Sequence, residues 1–67
     1  MFIVLLQTVN KDGEVLRLNK EVDEEKYEIH RGQYTGGQGR FTIKGTYQDL
    51  DNAIGVYCSL IPGFINA

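Results

Sequence analysis

Sixty-seven residues make one domain, residues 1–67, with nine acids against seven bases, one histidine, one cysteine and no tryptophan. Catalytic sites need at least two convergent reactive groups and metal centres usually three or four ligands. His30, Cys58 and the carboxylates have no spacing that assembles either, so the sequence implies no catalytic residues, no metal and no cofactor site. The formal charge of −2 lacks the basic excess that phosphate backbones attract, which argues against direct DNA binding.

A chain of this length buries only about 60% of the surface its unfolded form exposes. Lone Cys58 cannot form an internal disulfide and fits a reducing cytoplasm. Stability must then come from packing, from a homodimer or from a partner.

Met1 to Leu6 is apolar but lacks a basic leader and a long apolar core, and Gln7, Thr8, Asn10 and Lys11 follow at once. It reads as neither signal peptide nor membrane span, and the chain as cytoplasmic and complete. Phe2 to Val9 is apolar on both alternating faces, the pattern of a strand covered on both sides and hence central. Asn10-Lys11-Asp12-Gly13 supplies the positive φ of a hairpin turn. The return strand, Glu14 to Val22, sets Leu16, Leu18 and Val22 against Arg17, Asn19 and Glu21.

Glu21, Asp23, Glu24, Glu25 and Glu28 place five carboxylates within eight residues, with Lys26 the only base. This run reads as a solvated turn, or as an acidic knob complementary to a basic groove. The spacing does not match an EF-hand. Lys26 to Arg31 reads as a strand through Tyr27 and Ile29, with one or two helical turns capped by Asp23 as the alternative. Glu28 shares a strand face with His30, which reads as an ordinary exposed histidine.

Gly32 to Gly39 carries four glycines and no apolar period, so it reads as a mobile hairpin loop. Gly36-Gly37-Gln38-Gly39-Arg40 lacks the Lys-Ser/Thr and following helix of a phosphate cradle. Arg40 to Lys44 resumes alternation, with Phe41 and Ile43 inward and Arg40, Thr42 and Lys44 outward.

Thr46-x-x-Asp49 has the form of a capping box opening a helix. Tyr47, Leu50, Ile54, Tyr57, Cys58 and Ile61 make its apolar stripe, which places Cys58 in the core. Pro62-Gly63 predicts the stop, leaving Phe64 to Ala67 as an apolar tail or a final short strand. The expected fold is α+β: a small, mostly antiparallel sheet in the order β-β-β-β-α, with one amphipathic C-terminal helix on one face.

Arg40-Phe41-Thr42-Ile43, Asp49-Leu50-Asp51-Asn52-Ala53 and Pro62-Gly63-Phe64 follow one another within residues 40–67. This strand, helix and exit resemble those of small phage-encoded inhibitors of host RNA polymerase. Size and layout also resemble anti-CRISPR proteins. The resemblance implies a non-enzymatic protein that docks on a host nucleic-acid-handling protein, and it carries over no individual binding residue. For such docking, the residues themselves nominate Glu21, Asp23, Glu24, Glu25 and Glu28 for steering, with Tyr34 and Arg40 adding loop contacts. Two alternatives stand beside it: a homodimer sealed by the C-terminal tail, and a weak RNA-binding module using Arg31, Tyr34 and Arg40.

Overall fold

The computed structural model describes residues 1–35 and 37–66. Four strands, β1 (Phe2–Val9), β2 (Val15–Glu21), β3 (Tyr27–Thr35) and β4 (Gln38–Tyr47), form one antiparallel sheet in chain order. A single helix, α1 (Leu50–Ile65), then folds back over one face, giving the expected α+β architecture.

The β1–β2 reversal is built by Asn10. Its side-chain oxygen accepts from the amides of Asp12 and Glu14, each at 3.0 Å, while Gly13 takes a φ of 82°. An Asx turn followed by a left-handed glycine closes this reversal without strain.

Alternation along β2 and β3 sets the two faces. Leu16, Leu18, Tyr27 and Ile29 face the helix and meet Ala53, Tyr57 and Phe64 to form the core. Burying a side chain such as Leu18 stabilises the fold by about 1.5–3 kcal/mol. The open face carries Arg17, Asn19, Glu28, His30 and Tyr34, identified by the cross-strand pairs Arg17 with His30 and Asn19 with Glu28.

Several expectations are corrected by this packing. β1 is an edge strand, not a central one: it pairs only with β2, and six of its apolar residues are 37–53% exposed. Apolar residues on both faces of a strand do not by themselves place it at the centre of a sheet.

Residues 32–39 are mostly strand. β3 continues through Gly32, Gln33 and Tyr34 to Thr35, and β4 resumes at Gln38, so the reversal is short; Gly36 lies outside the described residues. Gly39, paired with Tyr34, makes room for the Tyr34 and Phe41 rings, whereas Gly32, paired with Phe41, makes room for facing backbone. At Gly32 a Cβ would collide with the Arg40 carbonyl.

Phe41 and Ile43 lie on the open face, with Arg40 and Thr42 on the helix side. Ile29 pairs with Gly45 but His30 with Ile43, so Lys44 is an extra residue that switches the alternation.

β4 also consumes Thr46 and Tyr47, so the helix begins later than the capping-box spacing predicts. Asp49 is the N-cap and accepts from the Asn52 amide at 2.8 Å. Such a cap contributes about 1 kcal/mol. At the other end the helix runs past Pro62 to Ile65. Proline forfeits its own amide bond, yet Phe64 is anchored in the core and the Pro62 carbonyl still accepts from Asn66. The tail expected after Pro62 is therefore the last helical turn; Ala67 lies outside the described residues. Cys58 is exposed, because the buried stripe is Ala53, Tyr57 and Phe64.

Candidate functional site: an acidic pole and an open sheet face

The five carboxylates of the acidic run part company. Glu21 ends β2, where the amino-terminal ammonium donates to it at 2.6 Å and holds its carboxyl below the ordinary carboxylate value. Glu28 is buried on the open face, bonded to His30 Nε2 at 2.8 Å and 3.7 Å from Lys26 Nζ. Asp23, Glu24 and Glu25 remain exposed on the β2–β3 turn. Lys20 fastens that turn through the carbonyls of Glu21 and Glu24.

The helix start adds two carboxylates that the linear run does not contain. Tyr27 opens β3 directly after the acidic turn and pairs with Tyr47, the last residue of β4. Asp49 and Asp51 follow and are exposed. The Tyr27 hydroxyl donates to Glu25 at 2.6 Å. That bond, together with burial and the charges of Glu25 and Asp49, raises the phenol above its usual value. Asp23, Glu24, Glu25, Asp49 and Asp51 thus share one end of the sheet. A sequence signal for the last two existed in the first-turn acids of the helix, but the sheet register was needed to place them.

Tyr34 and Arg40 do not join this pole, and the sheet separates them from each other. Tyr34 lies on the open face, where its hydroxyl accepts from Arg17 Nη2 at 2.7 Å and its ring meets Phe41 edge-on at 5.6 Å. The Arg17 guanidinium sits 4.7 Å from the Phe41 ring centroid. Arg40 pairs with Gln33 on the helix side, where it lines a shallow polar groove with Glu14, Arg31 and Lys44. Arg31 is held by Glu14 at 3.0 and 3.2 Å, with its guanidinium 5.1 Å from the Phe64 ring centroid. Arg31, Tyr34 and Arg40 therefore form no continuous surface for RNA.

His30 is half-buried between Glu28 and Asn19, whose side-chain nitrogen lies 3.4 Å from His30 Nδ1. The ring is thus flanked by a carboxylate at Nε2 and by a side-chain amide at Nδ1. The Asn19 side-chain oxygen is buried and has no partner among the described residues. Cys58 belongs to the helix on the other side of the sheet, so histidine and thiol cannot act as a pair.

Between α1 and β4 lies a groove of about 530 Å³, lined by Leu16, Tyr47, Val56, Leu60 and Phe64, with Arg31 and Lys44 beside them. Among the described residues, no three His, Cys, Asp or Glu side chains are grouped to hold a metal ion. Among the same residues, no helix is long and apolar enough to cross a membrane.

This architecture defines an α+β protein, a four-stranded antiparallel meander closed by one helix. Comparison with protein-family models, with curated proteins and with solved structures finds no match.

Proposed function

We propose that this is a non-enzymatic docking protein of the phage or mobile-element type, which inhibits a host nucleic-acid-handling protein in the cytoplasm by covering its basic groove. One observation carries the reading. The β2–β3 turn and the helix start bring Asp23, Glu24, Glu25, Asp49 and Asp51 to one end of the sheet, all exposed. A concentrated acidic pole steers association with a basic surface and competes there with phosphate. Anti-CRISPR proteins and polymerase or nuclease inhibitors are the classes that act in this way.

The test is capture of bacterial lysate proteins on the tagged chain, read by mass spectrometry, beside a variant carrying Asp23→Lys, Glu24→Lys and Glu25→Lys. Stoichiometric recovery of a nucleic-acid enzyme by the wild type, lost in a variant whose circular dichroism is unchanged, supports the reading. Equal recovery by both proteins, or recovery of no such enzyme, overturns it.

A further inference from the structure

The two edges of the sheet are treated differently. β4 carries Arg40 and Lys44 and is broken by the extra residue at Lys44. Charge is a usual protection of an edge against pairing with another chain. β1 reads Phe-Ile-Val-Leu-Leu-Gln-Thr-Val, with no charge and no proline; it too has one extra residue, Leu5, so charge is what separates the two edges. Both its polar side chains are engaged inside the protomer: Gln7 accepts from Arg17 at 2.8 Å, and Thr8 meets the Tyr57 hydroxyl at 2.7 Å. What β1 presents outward is apolar.

The core takes no residue from β1. Val56, Leu60 and Gly63 flank the buried helix stripe on the side of β4, where they line the groove with Tyr47 and Lys44. By helical spacing, Ile54, Ile61 and Ile65 lie on the opposite flank, towards β1. An apolar surface therefore runs from the uncovered strand up the near side of the helix.

We infer that β1 is the seam of a two-fold homodimer, in which the β1 strands of two copies pair antiparallel into one eight-stranded sheet. Three arguments favour a second copy as the occupant. A two-fold axis brings a strand against itself, so any charge would meet its own like; an uncharged strand avoids that penalty. Met1 and the six large apolar residues of β1 are 37–86% exposed in the protomer, and the helix flank continues that surface; a stable interface of ~800 Å² per partner needs such a continuous apolar strip. A two-fold perpendicular to the sheet also sets both helices on the same face. Ile3 and Leu6 of each copy, paired on that face with Lys20 and Leu18, then lie in the furrow between the helices. The inference is independent of the docking reading, since the acidic pole stays at the outer ends of either assembly.

Light scattering coupled to size exclusion, over a protein concentration series, tests this directly. The wild type is expected at twice the 7.6 kDa chain mass, and Val4→Lys at the single-chain mass with unchanged circular dichroism. Val4 is 51% exposed in the protomer, so the lysine opposes pairing without entering the core. A monomeric wild type would leave the edge to a foreign strand and overturn the inference. So would a Val4→Lys dimer, or a mass that grows beyond the dimer. Amide hydrogen exchange of the wild type at low and high concentration decides the matter should the variant unfold. Protection of the outward β1 amides must rise with concentration, and concentration-independent exchange overturns the inference.

Discussion

The Tyr57 hydroxyl reaches across the core to the Leu16 carbonyl at 3.1 Å, joining the middle of the helix to the centre of the sheet. The same oxygen meets Thr8 Oγ1 at 2.7 Å, so one phenol ties α1 to both β2 and β1. Tyr57→Phe keeps the ring in place and removes both bonds. The Leu16 carbonyl loses that donor while remaining buried, which costs about 1–2 kcal/mol. Urea unfolding at fixed protein concentration should show a lower midpoint with an unchanged slope; an unchanged midpoint would deny the hydroxyl any structural role. Tyr57→Ala, which also empties the ring's volume, should cost roughly 3–5 kcal/mol.

Two glycines answer to opposite rules. At Gly32 a Cβ would strike the Arg40 carbonyl, a backbone atom in the facing strand that cannot turn aside. Gly32→Ala should therefore part β3 from β4 locally and cost about 1–3 kcal/mol or more. Gly55 lies on the exposed side of the helix, and a methyl group there would meet nothing within 4 Å. Gly55→Ala should accordingly stabilise by about 0.5–1 kcal/mol through helix propensity alone. Thermal unfolding of the two variants should shift in opposite directions.

Local chemistry made much of this fold legible. Asn10 to Gly13 announced a reversal through an Asx side chain and a left-handed glycine, and the alternation of Leu16 and Leu18 identified the buried face of β2. Other features depended on partners distant in the chain. Phe41 and Ile43 alternate regularly, yet the extra residue at Lys44 sends them to the open face, and no local signal distinguishes a bulged strand from a plain one. Pro62 would end an isolated helix, but Phe64 anchors the turn beyond it. The candidate site divides in the same way. Asp23, Glu24 and Glu25 were visible as a run, whereas the loss of Glu21 to the amino terminus and the arrival of Asp49 and Asp51 follow from strand register.

Cys58 offers a direct check on how the helix is rotated. Its neighbour Tyr57 is buried and Cys58 is exposed, so the sulfur should be open to reagents in the folded protein. Ellman's reagent should titrate one thiol per chain without denaturant, at a rate near that of the unfolded chain. A helix rotated to bury the stripe expected from sequence would instead leave the thiol unreactive until urea is added.

Acid stability should report the Glu14–Arg31 pair. The Arg31 guanidinium donates twice to the Glu14 carboxylate and the Asn10 amide once, at 3.3 Å; these hydrogen bonds hold the Glu14 carboxyl below its ordinary value near 4.5. A carboxyl whose folded pKa is depressed binds fewer protons in the native state than in the unfolded one. Its contribution is therefore complete above about pH 4.5 and is lost as pH falls through the lower, folded value. Glu14→Gln removes that linkage. The stability gap between wild type and variant should be widest near neutrality, narrow below pH 4.5 and level off once Glu14 is protonated in both states. Because both side chains are partly open to water, added salt should shrink the gap at neutral pH as well. Denaturant titrations from pH 7 to pH 3 would measure it, and a gap that stays constant across that range would mean that Glu14 stabilises the β1–β2 turn through its shape and not its charge.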